Sequence, residues 1–394
     1  MKKIYLDNAS TTPTDKTVIL AMKKYWDVDF GNPSSIHSMG VSAKKVLQTA
    51  RKTIANFLNA HDREIIFTSG GTEANNLAIL GSMKKVLMSG GKVHAITTEI
   101  EHSSVLECFK ELERIGCQTS YLKVNENGLV NPKDLREMIR PETVLVSIGY
   151  ANSEVGIVQS IQEIMKEIRH ARKEFGRGRI AMPYLHLDAS AAMQYLNMNI
   201  EELGADLMTL DAQKIYGPKG IGALYVRDGV NIEPIIFGGG QENGRRSGTE
   251  NIPLIAGFAK AVEILGKIKE KESARVAKLR NEFFDSVKKF IPNAVINGSL
   301  KDRLPNNINI SIPGQDGEML VLRLDEAGII CSAASACASG SGESEVVRRI
   351  SKSAGMSEKN IDARAKSTLR FSLGRDSKKT DIQRLLRVLG KLIS

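Results

Sequence analysis

The stretch Glu64-Ile65-Ile66-Phe67-Thr68-Ser69-Gly70-Gly71-Thr72-Glu73 decides the fold class of this chain. Its apolar first half predicts a short strand over 64–68, and the residues at 73–88 have the pattern of a helix. Only a glycine-rich turn separates the two. A strand that passes directly into a helix is the repeating unit of α/β proteins.

The same alternation continues along the chain. Further strands are predicted at 93–98, 119–124, 144–148, 184–187, 206–210 and 222–226. Helices are predicted between some of them, at 103–115 and 161–175. This order predicts a mostly parallel sheet with helices on both faces.

The pattern changes after Gly248. A long helix is predicted at 251–290, and it is followed by strands at 307–312 and 368–373 and helices at 317–327 and 380–392. We therefore predict a large domain over residues 15–255. Residues 1–14 and 256–394 are predicted to form a smaller α+β domain.

Composition excludes several classes of protein. The chain has 394 residues and a net charge of +10, but its basic residues are spread out, which argues against nucleic acid as the main ligand. A positive field favours an anionic ligand or an acidic partner protein instead. The four cysteines include no C-x-x-C pair and suit a reducing cytoplasm. We expect no signal peptide, no membrane-spanning segment and no metal site.

The glycine-rich turn before the second predicted element could bind an anion. Free N–H groups and the positive end of the dipole meet at a helix N-terminus. Gly71 would supply a backbone N–H there, and Thr72 would add a hydroxyl. The alternative is a plain capped turn without a ligand.

Two residues at strand ends could complete such a site. Asp188 closes an apolar strand, at the edge where α/β folds bind ligands, and could keep a ring nitrogen protonated or simply cap a turn. Lys214 follows a buried strand and could form a Schiff base or be solvated. An anion cradle, a carboxylate and an amine together are what pyridoxal phosphate needs.

Three further residues have chemical potential. His102 begins a helix and could stack on a flat ring or move a proton, or be an ordinary surface histidine. Cys337 lies among small residues in a predicted loop and could be a nucleophile or a small buried side chain. Arg370 lies on an apolar strand and needs a carboxylate, from a substrate or from the protein itself.

With these residues in view, nearly the whole chain resembles the cysteine desulfurases of the NifS/IscS type, within the class V aminotransferase group. The motifs that carry the resemblance lie, in family order, at 5–12, 31–37, 69–76, 101–102, 152–156, 186–189, 214–220, 245–249, 335–339 and 370–375. The resemblance implies the fold of the pyridoxal-phosphate-dependent transferases, of the aspartate aminotransferase type. It also implies a homodimer.

The resemblance assigns cofactor contacts to five residues. Lys214 matches the Schiff-base lysine and Asp188 the partner of the pyridinium nitrogen. His102 matches the histidine stacked on the ring. Gly71 and Thr72 match contacts to the phosphate.

Five more residues receive roles from the resemblance. Gln213 occupies a phosphate-ligand position, and Thr249 matches a threonine that reaches the phosphate of the partner subunit. Asn152 matches an asparagine that faces both cofactor and substrate. Arg370 matches the arginine that binds the substrate carboxylate, and Cys337 the residue that accepts sulfur.

The implied activity is the removal of sulfur from L-cysteine. Lys214 would take the α-proton, and the thiolate of Cys337 would attack the substrate sulfur. L-Alanine would leave, and a persulfide would remain on Cys337 for transfer to an acceptor. The acceptor is open: an iron–sulfur scaffold protein and the tRNA thiolation pathway both begin with this persulfide.

Four positions depart from the family pattern. Ala191 replaces a glutamine that donates to the cofactor's phenolate oxygen, and Ser153 replaces an asparagine. Gln213 replaces a histidine and Asp211 a serine, both at the phosphate. Because a carboxylate repels a phosphate dianion, Asp211 must point away, be protonated or pair with a cation.

Two alternative functions remain open from the sequence. A selenocysteine lyase, or another pyridoxal-dependent β-eliminating enzyme, would share most of these residues, although Cys337 argues against a reaction without a thiol nucleophile. A non-catalytic family member acting as a scaffold subunit is suggested by Ala191, Asp211 and Gln213. The intact Lys214 opposes that reading.

Overall fold

The computed structural model describes residues 3–88, 90–175, 182–333 and 342–393. The strands in these ranges are β1 (Ile4–Tyr5), β2 (Ile65–Thr68), β3 (His94–Thr98), β4 (Gln118–Leu122), β5 (Thr143–Gly149), β6 (Tyr184–Asp188), β7 (Leu207–Asp211), β8 (Gly222–Val226), β9 (Val295–Ile296), β10 (Asn307–Ser311), β11 (Ile329–Ile330) and β12 (Thr368–Ser372). The helices are α1 (Lys16–Asp27), α2 (Ser38–Leu58), α3 (Gly71–Met88), α4 (Ser103–Arg114), α5 (Pro132–Met138), α6 (Ile161–Phe175), α7 (Ile200–Leu203), α8 (Ile252–Phe290), α9 (Gly317–Glu326), α10 (Glu345–Ser353), α11 (Glu358–Lys366) and α12 (Lys379–Ile393).

Seven strands form the central sheet, in the order β2-β8-β7-β6-β5-β3-β4. The strands from β7 to β4 pair in parallel. Only β8 runs antiparallel to its neighbours β2 and β7. The predicted mostly parallel sheet is therefore confirmed. Because parallel strands point the same way, their carboxyl ends lie along one edge of the sheet.

Alternate residues of the strands pack on opposite faces of this sheet. In β2, Ile65 and Phe67 belong to a buried cluster that includes residues of α2, α6 and α8. Ile66 points to the opposite face of the sheet, where it packs with residues of α3 and α4. Strands buried on both faces are typical of α/β proteins whose helices cover both sides of the sheet.

A second hydrophobic cluster is built on two smaller sheets. One has the order β12-β10-β9, and the other pairs β1 in parallel with β11. Leu6, Phe283 and Phe371 are buried in this cluster. The start of the chain is thus bound to its C-terminal part.

Helix α8 connects the two clusters. Its residues Phe258 and Leu265 are buried in the first cluster, and Val276 and Phe283 in the second. Because α8 runs through position 255, the predicted boundary between the two domains falls within this helix. The domain limits remain a prediction. Although α8 is 39 residues long, neither it nor any other helix in the described ranges is apolar enough over sufficient length to cross a membrane.

Helices α1 and α2 were not predicted, although α2 has a clear helical pattern. Its residues Ala43, Leu47, Ala50 and Ile54 follow a spacing of three or four and are all buried. This spacing is the sequence signal of an amphipathic helix. Helix α2 ends at Leu58, and the left-handed backbone of the next residue, Asn59, closes the last turn.

The second cluster should be sensitive to loss of an aromatic ring. Phe283 is fully buried, with its ring centroid 6.1 Å from that of Phe371. We expect Phe283→Ala to lower the free energy of unfolding by about 3–5 kcal/mol, because it leaves a cavity. Phe290→Ala, on the same helix at a half-exposed position, should cost less than about 1 kcal/mol. Urea denaturation measures both, and equal losses would contradict this packing.

Candidate active site

The edge where the parallel strands end contains a cavity of about 490 Å³. In open α/β sheets, ligands bind at this edge. Eight of the residues singled out from the sequence line the cavity: Gly71, Thr72, His102, Asn152, Asp188, Gln213, Lys214 and Arg370. Residues far apart in the sequence are therefore brought together around one space.

Lys214 lies in a single 3₁₀ turn, Ala212–Lys214, that follows β7 directly. Its Nζ donates hydrogen bonds to the backbone carbonyls of Ala9 and Ser10, both at 2.7 Å. The N-terminal segment thus holds the lysine amine at the wall of the cavity. Both of these acceptors are neutral backbone carbonyls.

Asp188 is the last residue of β6, and both of its carboxylate oxygens are held. The backbone N–H of Ser190 donates to Oδ1 at 3.0 Å, and Asn75 Nδ2 donates to Oδ2 at 2.8 Å. Both donors are neutral, so they orient the carboxylate without cancelling its charge.

His102 caps the N-terminus of α4. Its Nδ1 accepts from the backbone N–H of Ser104 at 3.1 Å, and it lies 2.8 Å from Ser104 Oγ. The imidazole is exposed as a side chain and lines the cavity. Its position therefore follows from its role as a helix cap.

The turn before α3 lies close to Asp211, the last residue of β7, and to Gln213, two residues further on. A Cβ at Gly71 would lie 3.2 Å from Asp211 Oδ2, so the carboxylate faces the start of α3 rather than turning away. Gln213 donates to that carboxylate twice, from its backbone N–H at 3.2 Å and from Nε2 at 3.1 Å. The two departures from the family pattern thus form one hydrogen-bonded unit, and the positive end of α3 favours its negative charge.

Arg370 is almost completely buried on β12 and has one of the two kinds of partner that were considered, a carboxylate of the protein itself. Its Nη2 donates to Asp7 Oδ1 at 2.9 Å and to Ser10 Oγ at 2.6 Å, which makes an internal ion pair. Its Nη1 lies 3.5 Å from the Ser153 carbonyl, and Nε has no hydrogen-bond partner among the described residues. Arg370 also lines the cavity, so the ion pair does not remove it from the site.

Asn152 is held mainly by its own loop. Its Oδ1 accepts from the backbone N–H groups of Glu154 and Val155, both at 2.9 Å. Its Nδ2 donates to the Ile100 carbonyl at 2.8 Å. One N–H of the amide is left for another partner.

Glu101 is a carboxyl group of the cavity that no sequence argument assigned to a task. Thr98 Oγ1 donates to its Oε1 at 2.7 Å. The carboxyl packs closely against Gly149, where an added Cβ would lie 2.8 Å from Glu101 Oε2. Burial of the carboxyl raises the pKa of Glu101 to about 7, and the negative charge of Asp188 adds to this shift.

Thr249 and Cys337 are not among the residues gathered here. Thr249 is exposed and does not line the cavity. Cys337 lies outside the described residues. The remaining cysteines are buried, and burial raises the pKa of Cys108 and Cys331 to about 12 and that of Cys117 to about 11.

Sequence reasoning gave no role to Asn75, Ser104 or Glu101. The only signal was their closeness in sequence to residues that were singled out: Glu101 and Ser104 flank His102, and Asn75 follows the glycine-rich turn. Their contacts reach other elements of the fold, and no spacing in the sequence records that.

The fold and the cavity define a pyridoxal-phosphate type of transferase, and comparison with known proteins agrees. Residues 4–385 match the Aminotransferase class-V family, and the chain belongs to that family. Cysteine desulfurase IscS of Dictyoglomus turgidum is 42% identical over 393 residues, which cover 100% of this chain and 95% of that protein. Cysteine desulfurase IscS 1 of Archaeoglobus fulgidus is 41% identical over 389 residues, covering 99% and 96%. Within its family, the chain is therefore a member of the cysteine desulfurase group.

Solved structures show the same fold. A NifS-like protein superposes with a TM-score of 0.88 at 31% identity and covers 99% of both chains. The structure of SspA in complex with cysteine gives a TM-score of 0.79 at 34% identity, covering 94% of this chain and 99% of that one. The predicted fold class and family are confirmed.

The raised pKa of Glu101 predicts how stability changes with pH. Its pKa rises from 4.5 to about 7, so between these values the folded protein binds this proton more tightly than the unfolded chain does. Stability contributed by this group is therefore complete below about pH 4.5 and is lost as the pH rises through about 7. The side chain at this position cannot ionise in Glu101→Gln. Between pH 5 and pH 8, the free energy of unfolding of this variant should therefore fall by about 1–3 kcal/mol less than that of wild type.

The measurement is the free energy of unfolding in urea at the two pH values, for wild type and variant. Every other titrating group is common to both proteins, so their difference isolates Glu101. Parallel pH dependence in the two proteins would show that this carboxyl ionises normally.

Proposed function

We propose that this chain removes the sulfur of L-cysteine with the help of pyridoxal 5′-phosphate and releases L-alanine. The observation that carries the proposal is a single cavity that combines an amine, Lys214, with a neutrally held carboxylate, Asp188, and a buried guanidinium, Arg370. Two relatives above 40% identity over nearly the full chain bear the name cysteine desulfurase.

The side chains present fit pyridoxal phosphate. Lys214 supplies the amine, Asp188 a carboxylate for the ring nitrogen, and the start of α3 at Gly71 and Thr72 an anion site. The exposed imidazole of His102 lines the cavity and would stack on the ring. When bound, pyridoxal phosphate withdraws electrons from the α-carbon of an amino acid and stabilises the charge left by its proton.

The chain's own residues would bind and deprotonate the substrate. Arg370 would hold the α-carboxylate, using the Nε and Nη1 groups that Asp7 does not occupy. Lys214 Nζ would take the α-proton after leaving the carbonyls of Ala9 and Ser10. The substrate carboxylate, fixed by Arg370, would define the orientation of the substrate, and the movable amine of Lys214 would carry the proton.

Cys337 would accept the sulfur. Its thiolate attacks the sulfur of the substrate, the carbon–sulfur bond breaks, and the bonding pair goes to the carbon, which takes up a proton. L-Cysteine and one enzyme thiol thus become L-alanine and one enzyme persulfide. The raised pKa of the buried Cys331 supports the choice of Cys337 over Cys331 as the nucleophile, because a thiol that stays protonated is a poor nucleophile.

The decisive experiment is a single turnover of the holoenzyme with L-cysteine. We expect a mass gain of one sulfur on Cys337 and an equal amount of alanine. Cys337→Ala should abolish the persulfide, and Cys331→Ala should leave it unchanged. Peptide mass spectrometry measures the persulfide on Cys337, and an alanine assay measures the released L-alanine.

Other outcomes of that turnover identify other functions. Bound yellow cofactor with neither product would indicate a different pyridoxal reaction. A colourless protein that cannot be loaded would indicate a non-catalytic scaffold subunit. Alanine without a persulfide on Cys337 would contradict the role of this residue.

We also propose that the chain acts as a homodimer. Large apolar side chains are exposed on α1, on the segment after it and in the first turn of α2: Ile19, Leu20, Trp26, Val28, Phe30, Ile36 and Val41. Such a concentration favours a protein interface. In the dimer, the exposed Thr249 would serve the cavity of the partner subunit.

Charge at this surface should separate the subunits. Leu20 is 70% exposed on α1, so Leu20→Glu should fold normally but lower the molar mass in light scattering toward that of one chain. Leu322→Glu, at a similarly exposed position on α9, is the matched control and should leave the mass unchanged. A wild type with the mass of one chain would refute the dimer.

We further propose a cytoplasmic setting and a protein partner that takes the persulfide sulfur, such as an iron–sulfur scaffold. The free state of Cys108, Cys117 and Cys331 supports a reducing compartment. The net charge of +10 supports an acidic partner surface.

A further inference from the structure

Among the described residues, the side chain of Asn75 links Asp188 and His102, the two groups of the cavity that would face a bound ring. It lies in the second turn of α3 and is 1% exposed. Its Nδ2 donates to Asp188 Oδ2 and to Ser104 Oγ, each at 2.8 Å. The two bonds use both N–H groups of the amide.

The orientation of this amide is determined by its partners. A reversed amide would place its oxygen against the Asp188 carboxylate, so the nitrogen must face Asp188. The oxygen, Oδ1, is left buried with no hydrogen-bond partner among the described residues. Leaving a buried acceptor unpaired destabilises the fold, and this indicates that the two donated bonds serve a task beyond packing.

The second bond reaches His102 through Ser104. The Ser104 hydroxyl accepts from Asn75, and because His102 Nδ1 is an acceptor for the Ser104 backbone N–H, the hydroxyl donates its own hydrogen to that nitrogen at 2.8 Å. The Ser104 backbone N–H donates to the same nitrogen at 3.1 Å. Because Nδ1 accepts both bonds, the proton of the neutral imidazole lies on Nε2.

We propose that Asn75 is a positioning residue that sets, through one amide group, both the orientation of Asp188 and the tautomer of His102. The inference rests on the proposed function, since Asp188 and His102 act on the same ring only when pyridoxal phosphate is bound. A neutral amide suits this position because it orients the carboxylate without adding a charge, whereas a lysine or arginine would cancel the charge of the carboxylate.

Other charged groups near Asp188 stay the same in the test. Glu101 follows β3, His186 lies on β6, and Lys214 follows β7. Burial lowers the pKa of His186 to about 4, so this imidazole is neutral at the working pH. Glu101 has a raised pKa and is common to every variant.

The experiment compares Asn75→Ala with Asn76→Ala in the holoenzyme. Asn76 is the next residue of α3; its amide donates back to the Thr72 carbonyl at 2.9 Å, and it does not line the cavity. The readouts are the dissociation constant of pyridoxal phosphate, the pH midpoint of the visible spectrum of the bound cofactor, and kcat and KM for L-cysteine.

We expect Asn75→Ala to weaken binding of pyridoxal phosphate about tenfold, the size of a hydrogen bond to a charged group. The spectral midpoint should shift by about one pH unit, and kcat should fall with KM nearly unchanged, because Arg370 is intact. Asn76→Ala should stay within about twofold of wild type in all of these.

Ser104→Ala separates the effect of Asn75 on His102 from its effect on Asp188. It removes the hydroxyl bond to His102 but leaves the bond from Asn75 to Asp188, so kcat and its pH profile should change while the affinity for pyridoxal phosphate stays within about twofold. If Asn75→Ala fails to fold, this variant decides, and an unchanged pH profile would overturn the proposal.

Failure of the inference differs from failure of the proposed function. If wild type makes alanine and the Asn75 and Asn76 variants behave alike, Asn75 is not a positioning residue. If wild type retains no pyridoxal phosphate, the proposed function itself is wrong.

Discussion

Parallel pairing of β5, β6 and β7 is the constraint on which the site depends. The register between β5 and β6 sets Gly149 opposite Asp188, and β7 lies on the other side of β6. Lys214 follows the end of β7 by three residues. Because all three strands end at one edge, a carboxylate and an amine meet there without long loops to position them.

A second constraint comes from the N-terminal segment. Asp7 Oδ1 accepts hydrogen bonds from Arg370, Ser10 and Ser332. The carbonyl of Ser10 also accepts from Lys214. One short segment therefore links the predicted substrate-binding arginine, on the small sheet, with the amine at the edge of the large one.

The polar groups of the cavity are held mostly by neutral donors. Asp188 receives an amide and a backbone N–H, Asp211 receives two donors from Gln213, and Glu101 receives a hydroxyl. Neutral donors orient a carboxylate and preserve its charge, so the electrostatics of the cavity remain available to a bound ring or phosphate. Arg370, paired with Asp7, is the exception among these groups.

The sequence by itself determined the succession along the chain of the strands that form the central sheet, because apolar runs are local properties. It also determined the candidates Asp188 and Lys214, since a residue at the end of a parallel strand has a known position. It missed Asn75 and Glu101, whose partners lie on other elements: Asn75 and Asp188 are 113 residues apart. Only the tertiary structure decided these contacts, because a hydrogen bond between distant elements depends on how α3, α4 and β6 pack, and packing leaves no periodic mark in the sequence.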